Sequence, residues 1–168
     1  MCSSSDESQQ GVFVPQEGSW GLTAWPLNEE PLSVREVNQL PLSSLAWVGD
    51  AVYEIQVRLY LIRHHQIRTG KLHFMAIPYV SAPGQAAILR HLEETYPLSP
   101  EERAIVHRGV NFHTVSKAKH ASQGEYRRAT AFEILLGWLY CVGQHDRLED
   151  IINVAIRFIQ GKLREEQS

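Results

Sequence analysis

Apolar residues recur at helical spacing along the chain from about residue 43 onward, and short polar segments interrupt them. A period of three to four residues is typical of helices that bury one face. No segment shows the strict alternation of a half-buried strand, so the pattern predicts an all-α fold. The predicted helices cover about residues 43–64, 71–76, 80–96, 100–110, 126–142 and 147–160.

Residues at the ends of two predicted helices support their limits. Ser99 can cap the helix that begins at Pro100, and Glu102 completes a capping box with it. Gly161 is well suited to end the last helix. The segment from Asn111 to Gly124 is polar and basic, and we predict a loop there.

The N-terminal region differs from the rest of the chain. Residues 1–31 are rich in Ser, Gln, Gly and Pro and show no sustained periodicity, which predicts a flexible tail. We expect the remaining residues, 32–168, to form one domain, because a chain of 168 residues is large enough to bury a single core.

The predicted first helix carries two apolar stripes. The first contains Leu45, Val48, Val52, Ile55, Leu59 and Ile62, and the second contains Ala46, Asp50, Tyr53, Val57 and Tyr60. A helix that is apolar on two faces is covered by its own domain on one face and by other helices or a second subunit on the other. If the cover is a second subunit, the second stripe is a candidate for the dimer interface.

Asp50 interrupts the second stripe, and Glu133 is the only charged residue in the apolar run from Ala129 to Gly143. A buried carboxylate needs a cation or several hydrogen-bond donors. If the two acids meet, they suit a divalent ion such as Mg²⁺, which prefers carboxylate oxygen. The alternative is that arginine or backbone donors satisfy each carboxylate without a metal. Glu54 lies one turn after Asp50, and Arg58 is its expected ion-pair partner.

The net charge of −3 is unevenly distributed. Six of the 19 acids and one of the 16 Lys and Arg residues fall in residues 1–40, which leaves 13 acids and 15 bases in the rest. The segment from His107 to Arg128 holds five bases and one acid, so it could contact phosphates, although charge alone favours a solvated loop.

Several classes of protein are disfavoured by the sequence. No apolar run approaches the roughly 18 residues that span a bilayer, and the first residues do not resemble a secretory signal. The cysteines, Cys2 and Cys141, are not expected to form a disulfide, which fits a cytoplasmic location.

The run from Leu45 to Glu54, Leu-Ala-Trp-Val-Gly-Asp-Ala-Val-Tyr-Glu, resembles the signature helix of Mini-ribonuclease III, the compact ribonuclease III relative without a double-stranded-RNA-binding domain. The resemblance covers about residues 40–162. Further stretches agree in the same order: Leu72-His73, Val80-Ser81-Ala82, Gln85-Ala86, Ile88-Leu89, Arg108-Gly109, Asn111, Tyr126-Arg127, Thr130-Ala131-Phe132-Glu133 and Leu135-Leu136-Gly137-Trp138-Leu139-Tyr140.

This resemblance implies a ribonuclease III-like helical bundle that acts as a homodimer. It implies a Mg²⁺-dependent endoribonuclease that cleaves double-stranded RNA, with 5′-phosphate products, in maturation of the large-subunit (23S) ribosomal RNA precursor. Asp50 and Glu133 match the family's catalytic and metal-binding acids, and Glu54 is a candidate supporting residue. Full-length ribonuclease III has further acids where this chain has Ala46 and Thr130, so the number of metal ions stays open.

Candidate RNA contacts come from the basic segment and its borders: Arg108, Asn111, Lys117, Lys119, Arg127 and Arg128. Two other functions are considered. One is a non-catalytic protein of the ribonuclease III group that binds duplex RNA, although a binder would not need embedded acids. The other is an HD-type metal phosphohydrolase built on His145 and Asp146, for which we find no second His and Asp suitably placed.

Overall fold

A computed structural model of the chain describes residues 30–65, 68–112, 122–166 and 168. These ranges contain helices and no strand, so the predicted all-α fold is confirmed. Most of the predicted tail and the candidates Lys117 and Lys119 lie outside the described residues. The helices are α1 (Val34–Val37), α2 (Leu42–His64), α3 (Thr69–Val80), α4 (Ala82–Thr95), α5 (Pro100–Val110), α6 (Gln123–Cys141) and α7 (His145–Glu165).

Helix α6 lies at the centre of the fold. Its residues from Ala129 to Leu139 are buried except for Glu133, which is half-buried. Helices α2, α4 and α5 make the largest contacts with it, and α7 packs against both α4 and α6. A helix that is apolar on all sides must be enclosed in this way, because any face left open would expose its side chains to water. The central position of α6 makes Glu133 an acid inside the core.

Capping boxes define where α5 and α6 begin. Ser99 accepts a hydrogen bond from the Glu102 backbone and Glu102 accepts one from the Ser99 backbone, as predicted. Ser122 and Glu125 form the same arrangement, so α6 begins at Gln123, about three residues earlier than predicted. The Ser-x-x-Glu pattern at this second site is visible in the sequence.

A buried ion pair joins α5 to α7. Arg147 donates to both carboxylate oxygens of Glu102 at 2.7 Å, and its guanidinium also donates to Tyr96 Oη at 2.9 Å. Burial alone would raise the pKa of Glu102, but the hydrogen bonds from Arg147 and Ser99 outweigh it and hold that pKa below its usual value. The pair fixes α7 against the end of α5.

Several helix limits differ from the prediction. The short helix α1 was not predicted, and its capping box between Ser33 and Glu36 stabilises the turn. Helix α7 continues through Gly161 to Glu165, because apolar packing against the core outweighs the helix-breaking tendency of one glycine. The boundary predicted at residue 32 is not tested, although the Leu32 backbone N–H donates to the Cys141 carbonyl at 3.2 Å.

The prediction that the second stripe of α2 forms a dimer interface is wrong. Tyr53 and Val57 are fully buried within this chain, and Tyr53 makes an edge-to-face contact with Phe132 of α6 at 5.1 Å between ring centroids. Helix α6 covers the second stripe and leaves the C-terminal half of the first stripe open. Its exposed members are Ile55, Leu59 and Ile62.

Within the described residues, no helix is long and apolar enough to cross a bilayer. Cys141 is a buried free thiol, while Cys2 lies outside the described part of the chain.

Candidate active site

Two glycines bring α2 and α6 into direct backbone contact. A Cβ atom added to Gly49 would lie 1.8 Å from the carbonyl oxygen of Glu133. One added to Gly137 would lie 2.0 Å from the carbonyl oxygen of Leu45. Real Cβ atoms do not approach other atoms so closely, so each glycine is required by the crossing itself rather than by an unusual backbone angle. The main chain of α2 therefore lies directly against the main chain of α6 at Glu133.

This crossing brings together Asp50, which follows Gly49, and Glu133. Burial raises the pKa of the Glu133 carboxyl to about 7, and the negative charge of Asp50 adds to the shift. Burial also raises the pKa of Asp50, and the charge of nearby Glu54 adds to that shift while Arg58 opposes it. The two carboxylates that the sequence singled out therefore repel each other at one site, and a cation would relieve that repulsion.

Glu54 and Arg58 form the expected ion pair one turn further along α2. The Arg58 side chain is largely exposed, so the pair is worth little for stability. Arg58 is engaged by Glu54, and no Lys or Arg in the described ranges forms an ion pair with Asp50 or Glu133. This arrangement disfavours the alternative in which arginine satisfies the buried acids.

Gln85 is a further polar residue beside Glu133, and the sequence reasoning did not single it out. Its side chain is 1% exposed, and it lowers the pKa of Glu133 against the effects of burial and Asp50. In the described structure, however, its Nε2 makes no hydrogen bond of ordinary geometry. The helical spacing that identified Asp50 would have found Gln85, because it begins the apolar stripe of α4 that continues with Ile88 and Leu92.

Two carboxylates are a small ligand set for a metal. Over residues 30–65, 68–112 and 122–166, no three His, Cys, Asp or Glu side chains gather around a common point. Mg²⁺ commonly binds through one or two carboxylates and keeps several waters, and substrate phosphates supply further ligands. Asp50 and Glu133 therefore fit a hydrated divalent ion better than a metal enclosed by protein alone.

The described RNA-contact candidates are not equally available. Arg108 and Asn111 are exposed at the end of α5, and the Asn111 side-chain amide donates to the His107 carbonyl at 2.9 Å. Arg127 and Arg128 are half-buried in α6, and Arg128 donates to Glu93 at 2.6 Å. Because Arg128 is already paired with Glu93, its charge is the least available for a contact with RNA phosphates.

His145 and Asp146, the basis of the HD alternative, begin α7. The His145 ring contacts Tyr140 edge-to-face at 5.5 Å, and Asp146 is the acidic residue of the first helical turn. The described residues bring no second His and Asp to them, so this part of the structure gives no support to an HD-type metal centre.

Comparison with known proteins identifies the family. Residues 43–144 match the ribonuclease III domain. The chain is 41% identical to the Mini-ribonuclease 3 of Enterococcus faecalis over 74% of this chain and 94% of that protein. It is 41% identical to the Mini-ribonuclease 3 of Symbiobacterium thermophilum over 72% of this chain and 92% of that protein. A crystal structure of a protein from Fusobacterium nucleatum has a TM-score of 0.64 at 25% identity and covers 73% of this chain and 96% of its own.

The chain belongs to the Mini-ribonuclease 3 group of the ribonuclease III family. The family expected from the signature helix is thereby confirmed, and so is the predicted class of enzyme, an endoribonuclease that cleaves phosphodiester bonds. Enzymes of this family generally use divalent metal ions.

Proposed function

We propose that this endoribonuclease cleaves double-stranded RNA in a Mg²⁺-dependent reaction, with Asp50 and Glu133 as its catalytic, metal-binding residues. The observation that carries the proposal is the meeting of these two acids at the α2–α6 crossing, with no ion-pair partner for either in the described ranges. Such a pair is unfavourable without a cation, and the family's general use of divalent ions supplies one.

The ion would supply Lewis-acid chemistry, lowering the pKa of a bound water and stabilising the leaving oxygen of the phosphodiester. The chain's own part is to hold the two carboxylates at a fixed separation. Asp50 and Glu133 stand on rigid helices whose spacing is set by Gly49 and Gly137. By analogy with the family, the products carry 5′-phosphate and 3′-hydroxyl ends. Glu54, one turn from Asp50, keeps Arg58 paired and adds negative charge near the proposed metal site.

A homodimer is the second part of the proposal. Trp47 is 80% exposed, and it lies one helical turn before Asp50. Ile55, Leu59 and Ile62 extend the exposed apolar surface along the same helix. Monomeric proteins rarely leave a row of large apolar side chains in water, and a second copy would bury it. An isologous contact on this helix would bring two active sites to one duplex, so that each could cut one strand.

We assign RNA binding to the surface around the end of α5 and the start of α6. Arg108, Asn111 and Arg127 are the described candidates that form no ion pair within the described ranges, and Lys117 and Lys119 lie between them in the sequence. A-form duplex RNA is recognised mainly through phosphate and 2′-hydroxyl contacts, which suits a basic surface with little base specificity.

The proposed substrate is the precursor of the large-subunit (23S) ribosomal RNA, in the cytoplasm, as the resemblance to the family implies. Incubation of the protein with this precursor, with and without Mg²⁺, followed by mapping of the new 5′ and 3′ ends, tests the proposal. We expect discrete Mg²⁺-dependent cuts in paired regions that leave 5′-phosphates. Binding of the RNA without cleavage at any Mg²⁺ concentration would instead support a non-catalytic protein.

A further inference from the structure

Gln85 is a buried amide in an otherwise apolar part of the core. The next residues along its stripe of α4, Ile88, Leu89 and Leu92, are fully buried. Leaving a buried polar N–H group without a partner is unfavourable, and a leucine would avoid that cost. The Nε2 atom of Gln85 has no hydrogen-bond acceptor of ordinary geometry within the described residues. A glutamine at this buried position therefore calls for a functional explanation rather than one based on stability.

The backbone around Gln85 is firmly held. Its backbone N–H donates to the Ser81 carbonyl at 2.9 Å, and Ser81 caps the start of α4. A Cβ atom on the preceding residue, Gly84, would lie 2.1 Å from the Pro78 carbonyl oxygen, so α3 and α4 touch through their main chains. A side chain on such a fixed backbone can orient a neighbour.

The neighbour that the Gln85 amide acts on is Glu133. Helices α4 and α6 pack together over much of their length. The amide lies close enough to Glu133 to favour its ionised form, because it lowers the pKa of that carboxyl against the effects of burial and Asp50. A glutamine adds no charge, so it can donate to a carboxylate without competing with a cation for it.

We infer that Gln85 is a positioning residue whose Nε2 donates a hydrogen bond to one carboxylate oxygen of Glu133 and leaves the other oxygen for the divalent ion. This inference rests on the proposed function. Partners that hold a metal-ligating carboxylate in one orientation typically contribute about 10- to 100-fold to metal affinity or activity.

The test compares Gln85→Leu with the unaltered chain. Leucine has a similar volume, keeps the site buried and lacks the donor. Mn²⁺ affinity of the full chain without RNA, measured by electron paramagnetic resonance, is expected to fall about 10- to 100-fold. The melting temperature should stay the same or rise, because an unpaired polar group is replaced by an apolar one. Ile88→Val is the matched control, since it removes a buried methyl group from the same stripe and should lower the melting temperature without changing Mn²⁺ affinity.

A double-mutant cycle shows whether Gln85 acts through Glu133. In a Glu133→Gln background, Gln85→Leu should weaken Mn²⁺ binding by less than about threefold, because the group that Gln85 positions has changed. Equal Mn²⁺ affinities of wild type and Gln85→Leu would overturn this inference but not the proposed function. The same conclusion would follow if Gln85→Leu weakened Mn²⁺ binding equally in the wild-type and Glu133→Gln backgrounds. A wild type that binds no Mn²⁺ and does not cleave duplex RNA would contradict the proposed function, and the inference with it.

Discussion

Gly49 packs against the main chain of Glu133 so tightly that a Cβ atom there would lie 1.8 Å from the Glu133 carbonyl oxygen. The contact determines how close α2 and α6 come at the point where Asp50 and Glu133 meet. The separation of the two carboxylates therefore depends on a residue that has no side chain.

We predict that Gly49→Ala destabilises the protein and impairs the site. The methyl group would collide with backbone, which cannot move aside as a side chain can, so the free energy of unfolding should fall by about 3 kcal/mol or more. Chemical denaturation measures this loss. Gly161→Ala is the control, because nothing lies within 4 Å of its added Cβ and alanine in a helix should stabilise by roughly 1 kcal/mol. A Gly49→Ala protein as stable as wild type would contradict the close crossing.

The raised pKa of Glu133 predicts a pH dependence of stability. In the unfolded chain this carboxyl titrates near 4.5, and in the folded protein near 7. The folded state therefore binds more protons between these values, so the contribution of Glu133 is fully present below about pH 4.5 and lost as pH rises through 7. Without divalent ions, the wild type should lose this contribution between pH 5 and pH 8 while Glu133→Gln does not. The free energy of unfolding of Glu133→Gln, relative to that of wild type, should therefore rise by about 2 to 3 kcal/mol over this range.

Urea denaturation at the two pH values, with and without Mg²⁺, checks this prediction. Mg²⁺ should stabilise the wild type at pH 8 and have little effect on Glu133→Gln, because the ion replaces the proton between the carboxylates. If the difference in free energy of unfolding between the two proteins is the same at pH 5 and pH 8, then Glu133 is not a buried group whose pKa is raised by burial and by Asp50.

Much of the fold and the two central acids could be predicted from the sequence because each leaves a local signal. The spacing of apolar residues predicted α2 to within one residue at its start, and the embedded charges of Asp50 and Glu133 stood out against apolar helices. The Ser99 capping box was equally local.

The tertiary relationships could not be predicted in the same way. Both stripes of α2 are apolar, and only the position of α6 decides that Tyr53 is buried while Leu59 is exposed. Gly161 was predicted to end α7, but packing of the helix against the core carries it four residues further. Gly49 is one of several glycines in the sequence, and its role depends on a helix about 85 residues away.

RNA affinity should depend on the basic segment. We predict that Lys117→Glu combined with Lys119→Glu weakens binding to duplex RNA and lowers the slope of log affinity against log salt by about one for each lost phosphate contact. Lys162→Glu with Arg164→Glu, two exposed positions of α7, is the charge-matched control. Fluorescence anisotropy at several salt concentrations measures both pairs. Equal effects of the two pairs would refute the assignment of the RNA-binding surface.

The exposed apolar face of α2 should hold the dimer together. Ile55→Glu combined with Leu59→Glu places two charges on this face. We expect the wild type to be a dimer and the double variant to be a folded monomer. Light scattering coupled to size-exclusion chromatography gives the mass. Arg63→Glu changes an exposed charge on the same helix and should leave the dimer intact. A double variant that stays dimeric would place the interface elsewhere.

We propose that Asp50 and Glu133 together hold the divalent ion on which RNA cleavage depends. The most direct measurement is cleavage of a structured duplex RNA by Asp50→Asn at saturating Mg²⁺, with circular dichroism to verify folding and Glu149→Gln, an exposed acid of α7, as control. Because metal stabilisation of the transition state is worth several kcal/mol, we expect Asp50→Asn to remain folded and lose at least about 100-fold in rate, while Glu149→Gln cleaves normally. Full cleavage by folded Asp50→Asn would contradict the account.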